Sequence, residues 1–430
     1  MKRTHYTNEL EKNVGKEVIV AGWVHDVRLL GKINFILLRD REGIAQVTVV
    51  KDKVSEENLE VVKKLHQEDV LIVKGKIQNS KSKDYPVELI PDEIEVVNKS
   101  DVPLPMDPRE VTKANLDTRI DWRVLDFRTA EAKAIFGIQN EITKAFRDFF
   151  MQRDYVEMQP PVIIGSASEG GAELFQMPYF DKKAYLAQSP QLYKQMGAIS
   201  FEKVFSIMPI FRAEKFETPT HLNEIRQMDM EQAFIDDEGA LDILEECFLH
   251  ILSEVKKNRK EELKVLNVDL KIPKSPLKRM KYEDVVKILQ KHGEKIEFGH
   301  DFTKGQESLM VKLIGDAFFI KDWPTAIRAF YAMPDEKNPK ICHAYDLIYN
   351  GLEICSGTQR IHLPELLTKQ ITAKGLNPKD FKFYIDAFRY GAPYHSGWSI
   401  GLERITMQIT GKTNIREVTM FPRDRNRIYP

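Results

Sequence analysis

One stretch decides how the rest of this chain is interpreted: Phe211-Arg212-Ala213-Glu214-Lys215-Phe216-Glu217-Thr218-Pro219-Thr220-His221-Leu222-Asn223-Glu224-Ile225-Arg226-Gln227-Met228-Asp229-Met230-Glu231. Alternating runs, Lys203 to Phe211 and Glu224 to Phe234, flank its polar middle, and such alternation is typical of β-strands. The residues from Thr218 to Thr220 favour a turn. The stretch therefore predicts a β-hairpin with a long polar loop.

Arg212 and Glu214 place a guanidinium and a carboxylate at the base of this loop. Because side chains alternate along a strand, residues two apart are expected to share a face. The planar fork of arginine suits a phosphate, so the pair predicts a phosphate-binding site. Exposed ion pairs are also common on ordinary hairpins and contribute only about 0–1 kcal/mol. From these residues alone, an ordinary surface ion pair is therefore an equal alternative.

Composition indicates a globular protein of two or three domains. The chain has 430 residues, of which 42% are hydrophobic and 30% charged. No stretch of 18 apolar residues and no apolar run after the first charges is present, so we expect neither a membrane span nor a signal peptide, and a cytoplasmic location. The net charge of −1 gives no bulk attraction to nucleic acid, so any RNA binding must use a local patch.

The three cysteines argue against a disulfide framework or a thiolate zinc site. They are odd in number and none has Cys-x-x-Cys spacing. We therefore expect Cys247, Cys342 and Cys355 to be buried, inert thiols.

The first hundred residues predict a small β-barrel. Five β-rich runs follow one another, with a helical stretch, Glu56–His66, between the third and the fourth: Val18–Val24, Phe35–Asp40, Ala45–Val50, Val70–Ile77 and Glu88–Val97. This order matches an OB-type barrel, a fold that often binds oligonucleotides. Residues 103–129, which begin with Pro103, Pro105 and Pro108, predict a hinge or linker.

Residues 130–430 predict one further domain with helices and strands. An apolar stripe indicates a helix over Ala130–Met151, and a strand is expected at Tyr155–Met158. Ser189 is a good helix N-cap and Pro190 a good first helical residue. A second helix is expected at Leu241–Lys260. The segment from Val265 to Phe319 is mixed and yields no chemistry.

An Asn350-Gly351 pair predicts a tight hairpin, because this dipeptide favours a type I′ turn. Pairing across the turn sets Glu353 opposite Ile348, so that Asp346 and Glu353 share a face as diagonal neighbours about 7–8 Å apart. Two carboxylates placed in this way can hold magnesium together with nucleotide phosphates. A solvent-facing acidic strand is the alternative.

Taken together, these strings resemble the class IIb aminoacyl-tRNA synthetases, and within them the archaeal-type aspartyl branch. Four segments carry the resemblance: Gly22–Arg28, Gln188–Gln195, Phe211–Glu231 and Phe388–Arg404. The resemblance implies an α+β protein with an N-terminal OB-fold anticodon-binding domain (1–102) and a class II catalytic domain (130–430) whose antiparallel sheet is flanked by helices. It also implies a homodimer formed through the motif 1 region, the helix and strand that begin at Ala130.

The resemblance assigns a set of residues to ATP and to Mg²⁺. Arg212 would hold the α-phosphate, Glu214 the adenine edge or the tRNA end, His221 a terminal phosphate, and Arg404 the γ-phosphate or adenine. Leu222 and Gly401 would complete the ATP site, in which Arg212, Glu214 and Arg404 are the catalytic residues. Magnesium would be held by Glu353, assisted by Ser356 and Asp346.

A second set is implied for L-aspartate: Glu169, Ser189, Gln191, Lys194, Asp229, Ser356 and Arg360. Lys194 would contact the substrate's side-chain carboxylate and Asp229 would orient it, whereas asparaginyl enzymes commonly carry an uncharged residue at that place. The physics agrees, because an anionic ligand offsets the desolvation of a buried ammonium better than a neutral amide does. A lone lysine is otherwise usually solvated.

In the barrel the resemblance assigns anticodon contacts to Arg28, Phe35 and Gln46, with Phe35 stacking on a base. Without the family, Phe35 would be placed in the barrel core. His25 and Pro86 occupy places where strictly selective relatives carry tryptophan and lysine. This predicts a relaxed enzyme that accepts both aspartate and asparagine tRNAs.

The implied reaction is ATP-dependent attachment of L-aspartate to tRNA through an aspartyl-adenylate. Three rival functions remain open from the sequence: an asparaginyl-tRNA synthetase, which Lys194 disfavours, an asparagine synthetase built on the same domain, and an inactive RNA-binding paralogue.

Overall fold

The computed structural model describes residues 1–166, 174–215 and 218–430. The chain divides into two compact units, Met1–Ala114 and Asn115–Pro430. The division falls inside the segment that was predicted to be a linker, and the domain limits at 102 and 129 stay predictions. Two short helices of the second unit lie in the same segment, between Leu116 and Asp126.

The first unit is a closed five-stranded barrel with the strand order β1-β2-β3-β5-β4. Its strands are β1 Glu17–Leu30, β2 Ile33–Arg39, β3 Ile44–Val50, β4 Val70–Asn79 and β5 Val87–Asn98. Only the β3–β5 pairing is parallel. Alternate apolar side chains of the strands, such as Val18, Val20, Ile36 and Leu38, fill the interior. The predicted OB-type barrel is confirmed.

One helix, α1 Glu56–Lys63, lies between β3 and β4, as predicted. Ser55 caps it by accepting a hydrogen bond from the backbone nitrogen of Asn58 at 3.2 Å. Leu59 and Val62 point from the helix into the barrel core. The helix therefore closes one end of the apolar interior.

The second unit contains eleven strands and eleven α-helices within its described residues. The strands are β6 Val156–Glu157, β7 Ile163–Ile164, β8 Gln176–Tyr179, β9 Lys182–Leu186, β10 Lys203–Phe211, β11 Glu224–Ala233, β12 Lys278–Lys281, β13 Ala317–Pro324, β14 Ile341–Tyr349, β15 Leu352–Gln359 and β16 His395–Gly401. The helices are α2 Leu116–Asp121, α3 Arg123–Asp126, α4 Ala130–Met151, α5 Gln191–Phe201, α6 Asp237–Asn258, α7 Lys260–Val265, α8 Tyr282–Lys291, α9 Lys304–Leu313, α10 Pro364–Ala373, α11 Lys382–Arg389 and α12 Leu402–Thr410.

Eight strands form the central sheet in the order β12-β13-β14-β15-β16-β11-β10-β6. The six inner strands pair antiparallel, as expected, whereas the two edge pairs, β12–β13 and β10–β6, are parallel. Strands β7, β9 and β8 form a separate small sheet. The sheet is therefore mixed, with an antiparallel centre that carries the candidate site.

Helices α4 and α6 pack on this sheet and bury its largest apolar core. Helix α4 has the predicted bounds because Thr129 caps its first turn, accepting from the nitrogen of Ala132 at 3.1 Å. The predicted stripe is buried, and Phe146 and Phe150 pack against Phe205 and Trp398. This core fixes the sheet from the face opposite to the cavities described below.

All three cysteines are buried with free thiols, as the spacing predicted. Burial raises the pKa of each thiol, so these groups are poor nucleophiles. Among the described residues no helix is long and apolar enough to cross a membrane.

Candidate active site

The β10–β11 hairpin has the predicted strands, paired from Lys203–Gln232 to Phe211–Glu224. Strand β10 ends at Phe211, so Arg212 and Glu214 follow the strand and do not share one of its faces. That prediction was wrong because the regular pairing ends at Phe211 and Glu224, after which one further backbone hydrogen bond joins the Arg212 nitrogen to the Asn223 oxygen at 2.9 Å. The Asn223 side-chain amide donates to the carbonyl oxygens of Arg212 (2.7 Å) and Glu214 (3.1 Å) and fixes the loop base.

A cavity of about 110 Å³ lies at this loop base. It brings together every residue that was assigned to ATP, and two of the three assigned to magnesium: Arg212, Glu214, His221, Leu222, Glu353, Ser356, Gly401 and Arg404. The Leu222 side chain itself is buried and packs with Ile135 and Met407. It therefore shapes the cavity wall from the core side.

His221 and Arg404 are in direct contact in this cavity. Nη2 of Arg404 donates to Nε2 of His221 at 3.3 Å, and the other ring nitrogen lies 2.5 Å from Oγ1 of Thr218. Burial lowers the pKa of His221 to about 4, and the positive charges of Arg404, Arg212 and Lys304 add to the effect. The imidazole is therefore neutral at pH 7.

Arg404 also connects this cavity with the β14–β15 hairpin. Its Nη1 atom donates to the backbone oxygen of Glu353 at 3.0 Å. Helix α12 begins directly after Gly401, which places Arg404 on its first turn. The guanidinium is thereby held beside the Glu353 carboxylate.

A second cavity, of about 220 Å³, contains the residues predicted to bind the amino acid. Its lining includes Ser189, Gln191, Lys194, Asp229, Ser356 and Arg360. Glu169 lies outside the described residues. Among the described residues that line this space, four cationic side chains stand against one carboxylate, that of Asp229: Lys194, Arg212, Arg328 and Arg360. Three of these cations are in ion pairs, Lys194 with Asp229, Arg328 with Asp346 and Arg360 with Glu231, so the excess positive charge at the cavity is small.

Lys194 is buried and held from several sides. Its Nζ atom donates to Oδ1 of Asp229 at 2.9 Å and to the backbone oxygen of Trp398 at 3.3 Å, and it lies 3.6 Å from Oε2 of Glu231. Burial raises the pKa of Asp229, although the ion pair with Lys194 opposes this. A solvated Lys194 is excluded.

Glu231 is a site residue that the sequence reasoning missed. Its carboxylate is buried and accepts from Nε (2.7 Å) and Nη2 (3.0 Å) of Arg360. Arg360 draws the pKa of Glu231 below its usual range in spite of burial. Glu231 lies two residues after Asp229 on β11, so strand alternation could have placed both on one face.

Gly397 lies where β16 passes close to β11. A Cβ atom at this position would lie 2.2 Å from Oε2 of Glu231 and 2.3 Å from the backbone oxygen of Met230. Gly397 therefore lets β16 approach Glu231. At Gly401 an added Cβ would meet only the Arg404 side chain, at 3.7 Å.

Helix α5 positions Gln191 and Lys194 at the cavity. It begins at Gln191, one residue later than predicted, and Pro190 occupies the N-cap position. Oγ of Ser189 still accepts from the Gln191 nitrogen, at 3.0 Å. Oε1 of Gln195 accepts from Gln191 (2.8 Å) and from Tyr384 (2.7 Å), which fixes the Gln191 side chain from behind.

The β14–β15 hairpin has the predicted turn and an unpredicted bulge. Asn350 and Gly351 both have positive φ, as a type I′ turn requires, and Glu353 pairs with Ile348. A register shift between Leu347 and Ile348 then places Ser356 opposite Asp346. The bulge thus brings a hydroxyl to the buried carboxylate.

The barrel carries the five residues predicted to read an anticodon. Arg28 pairs with Phe35 across β1 and β2, and Phe35 pairs with Thr48, two residues from Gln46. Phe35 is half-buried and lies outside the core cluster, which contradicts its placement in the core. Nδ1 of His25 contacts Arg39 at 3.3 Å, and Pro86 is exposed.

Comparisons with known proteins match both units. Residues 115–425 match the family model described as tRNA synthetases class II (D, K and N), and residues 18–97 match an OB-fold nucleic acid binding domain. The chain is a class II tRNA synthetase. Its predicted family and fold class are thereby confirmed.

Relatives of this synthetase extend over its whole length. The aspartate–tRNA(Asp/Asn) ligase of Methanocaldococcus jannaschii is 46% identical, over 100% of this chain and 98% of the relative. The ligase of the same name from Methanopyrus kandleri is 48% identical, over 97% and 96%. A crystal structure of asparaginyl-tRNA synthetase from Pyrococcus horikoshii with asparaginyl-adenylate covers 100% of both chains at 33% identity and a TM-score of 0.95.

Proposed function

We propose that this synthetase attaches L-aspartate to tRNA in two steps. The aspartate α-carboxylate attacks the α-phosphorus of ATP, which gives aspartyl-adenylate and releases pyrophosphate. The terminal adenosine hydroxyl of the tRNA then takes the aspartyl group and releases AMP. Full-length relatives that are named aspartate–tRNA(Asp/Asn) ligases support this proposal.

One observation distinguishes aspartate from asparagine: the buried ammonium of Lys194 borders the amino-acid cavity beside Arg360. A substrate carboxylate would offset the desolvation of this ammonium, which a neutral amide does poorly. Arg360, whose Nη1 is not engaged by Glu231, is proposed to bind a substrate carboxylate, and Ser189 and Gln191 line the same space. Glu169 is proposed to take the substrate ammonium.

Arg212 lines both cavities and is therefore suited to hold the α-phosphate between the two substrates. Arg404 is proposed to neutralise the terminal phosphate. His221, which is neutral, can offer this phosphate an N–H group from Nε2 once Arg404 leaves that atom and the ring proton moves there from Nδ1. Glu214 is proposed to bind the adenine edge or the tRNA end. Catalysis then comes mainly from positioning and charge neutralisation.

The residues proposed for Mg²⁺ fit this ion. Oδ1 of Asp346 is buried without a hydrogen-bond partner among the described residues. Asp346, Glu353 and Ser356 offer only oxygen atoms, and magnesium is usually held by one or two carboxylates together with substrate phosphates. Within the described part of the chain no three His, Cys, Asp or Glu side chains form a metal cluster by themselves. When bound with ATP, the ion would neutralise phosphate charge.

The barrel is proposed to read the anticodon through Phe35, Arg28 and Gln46, which lie on neighbouring strands. His25 and Pro86 are proposed to permit both aspartate and asparagine tRNAs, and the relatives named tRNA(Asp/Asn) ligases support this. The active form is proposed to be a cytoplasmic homodimer joined through the α4 and β6 region. Exposed apolar side chains there, Met151 and Val156, support such an interface.

Charging of two separately transcribed tRNAs, with the aspartate and the asparagine anticodon, tests the proposal at a stated salt concentration. We expect comparable aspartate charging of both. Charging of the aspartate tRNA alone would contradict only the proposal that both tRNAs are accepted, and aspartate attachment itself would stand. ATP–pyrophosphate exchange that prefers asparagine would favour an asparaginyl enzyme.

Two further results would point to a different function. Ammonia-dependent formation of asparagine without tRNA would indicate an asparagine synthetase. The absence of exchange with either amino acid would favour an RNA-binding paralogue.

A further inference from the structure

Arg328 borders the amino-acid cavity and has no role in the proposed reaction. Its Nη2 atom forms an ion pair with Oδ2 of Asp346, and its Nη1 atom donates to Oγ of Ser356 at 3.3 Å. One side chain therefore contacts two of the three residues proposed to hold magnesium. The bulge in β15 makes this double contact possible, because it places Ser356 opposite Asp346.

After their contacts with Arg328, Asp346 and Ser356 each still have an oxygen lone pair with which to bind a metal ion. The side chain of Asp346 is 1% exposed, and only Oδ2 is taken by Arg328. Oδ1 has no hydrogen-bond partner among the described residues, so it is the oxygen that a cation can use. A hydroxyl oxygen has two lone pairs, and Ser356 uses one of them to accept from Arg328.

Arg328 is itself held in place by an aromatic wall. Its guanidinium carbon lies 3.8 Å from the ring centroid of Trp323, a cation–π contact. The indole is buried and donates from Nε1 to the backbone oxygen of Ile320 at 3.2 Å. It packs against the rings of Tyr282 and Phe302, with ring centroids 4.9 Å and 5.3 Å away. Tyr282 and Phe302 belong to the mixed segment for which no chemistry was predicted.

The geometry disfavours a direct role for Arg328 in substrate binding. Both of its terminal nitrogens are already engaged, by Ser356 and Asp346, so a substrate carboxylate would find only their remaining N–H groups. Nε is buried and lacks a partner within the described residues, and it faces no solvent. Outer partners that hydrogen-bond to metal-ligating carboxylates orient those ligands and are worth about 10- to 100-fold in metal affinity.

We propose that Arg328 is a positioning residue that holds Asp346 and Ser356 in the orientation required by magnesium. Trp323, Tyr282 and Phe302 fix its guanidinium. The mixed segment before β13 would therefore contribute to the active site, because its aromatic side chains orient the Asp346 carboxylate through Arg328. This inference rests on the proposed function, because it takes the Mg²⁺ of that reaction as the ligand.

Mn²⁺ binding to the full chain tests the proposal without any turnover. Free Mn²⁺ is measured by electron paramagnetic resonance during a titration in the presence of α,β-methylene-ATP. For Arg328→Gln we expect the Kd for Mn²⁺ to rise about 10- to 100-fold. Arg328→Lys keeps the charge but lacks the planar fork, so an intermediate value is expected.

Arg279→Gln is the matched control, because Arg279 also bridges two carboxylates, those of Glu238 and Asp242, but borders neither cavity. Its Kd is expected to equal that of the wild type. Trp323→Phe is a second variant in case Arg328→Gln does not fold, and it should raise the Kd in the same direction by a smaller factor. Thermal melting reports which variants are folded.

An unchanged Kd for folded Arg328→Gln would overturn the proposal, and a raised KM for aspartate in that variant would mark Arg328 as a substrate ligand. The Mg²⁺ dependence of exchange is a second readout, in which the midpoint should move to higher Mg²⁺ and excess Mg²⁺ should restore much of the rate. Failure of the proposed function would be seen in a different assay, because the wild type would then show no aspartate-dependent ATP–pyrophosphate exchange. The Mn²⁺ titration uses no amino acid and tests only the role of Arg328.

Discussion

The Nζ atom of Lys194 lies 2.9 Å from Oδ1 of Asp229, and both side chains are almost completely buried. This ion pair predicts that Lys194→Gln weakens aspartate binding much more than asparagine binding. Losing one partner of a buried charged contact costs about 2–5 kcal/mol, or roughly 30-fold or more in KM for aspartate. ATP–pyrophosphate exchange with each amino acid measures the difference.

The double variant Lys194→Gln/Asp229→Asn controls for stability. Lys194→Gln leaves Asp229 and Glu231 with one countercharge fewer, so we expect a lower melting temperature. Removing the Asp229 charge as well should recover part of that stability without restoring aspartate activation. An unchanged KM for aspartate in the single variant would show that Lys194 does not bind the substrate.

Gly397→Ala is expected to damage the amino-acid cavity. The new Cβ atom would overlap the Glu231 carboxylate and the Met230 backbone, and the backbone cannot move away cheaply. We expect a loss of about 1–3 kcal/mol of stability, as for other overpacked cores, together with a higher KM for aspartate because Glu231 orients Arg360. Chemical denaturation and exchange assays measure both effects.

Gly401→Ala is the matched control for that variant. Its φ of −74° is open to any residue, and the added Cβ atom would make only an ordinary contact with Arg404. Wild-type stability is expected. A raised KM for ATP without a loss of stability would show that the nucleotide approaches Gly401 closely, as the family pattern implies.

Phe35→Ala is expected to weaken tRNA binding while leaving the barrel folded. Stacking of a base on an aromatic ring is worth about 1–3 kcal/mol, and Phe35 lies outside the barrel core. The neighbouring Ile36 is fully buried, so Ile36→Ala should instead cost about 2–5 kcal/mol of stability. If Phe35→Ala bound tRNA like the wild type in filter-binding assays, the stacking role would be wrong.

The buried carboxyl group of Glu403 is expected to make the free energy of unfolding fall as the pH rises. Burial raises its pKa to about 7, although the Arg226 backbone nitrogen donates to its carboxylate. Between the ordinary carboxyl pKa and about 7 the folded state binds the extra proton, so this contribution is full at low pH and is lost as the pH rises through 7. A difference of one in pKa between the folded and unfolded states corresponds to about 1.4 kcal/mol.

Glu403→Gln removes this titration and still offers an acceptor to Arg226. The difference in unfolding free energy between this variant and the wild type should therefore move in favour of the variant from pH 5 to pH 8. Urea denaturation at several pH values measures it. A constant difference across that range would contradict the raised pKa.

Local patterns in the sequence predicted the scaffold of the site well. Helix α4 and the strands β10 and β11 begin and end within a residue of their predicted limits, because caps and alternation act over a few residues. The assignment of site residues needed the family resemblance, since Lys194 alone has no pattern that marks it as buried. The roles of these residues remain predictions.

Long-range features could not be predicted. The one-residue bulge in β15 depends on pairing with both neighbouring strands, and turn chemistry alone gives the unshifted register. Arg328 and Asp346 are 18 residues apart in the chain, and Trp323, on which Arg328 packs, belongs to a core cluster that includes residues of the preceding helices. Glu214 was misplaced because the strand ends at Phe211, after which the Asn223 side chain, nine residues beyond Glu214, binds the carbonyl oxygens of Arg212 and Glu214.

The barrel encloses an apolar core of its own, made only from residues of the first unit. Under the proposed function, substitutions on its outer face would alter which codons receive aspartate without entering the cavity proposed to select aspartate. Codon assignment and amino-acid choice would then be able to drift separately in evolution. A lineage that acquires another source of asparaginyl-tRNA would be able to narrow its decoding through a few surface changes in the barrel alone.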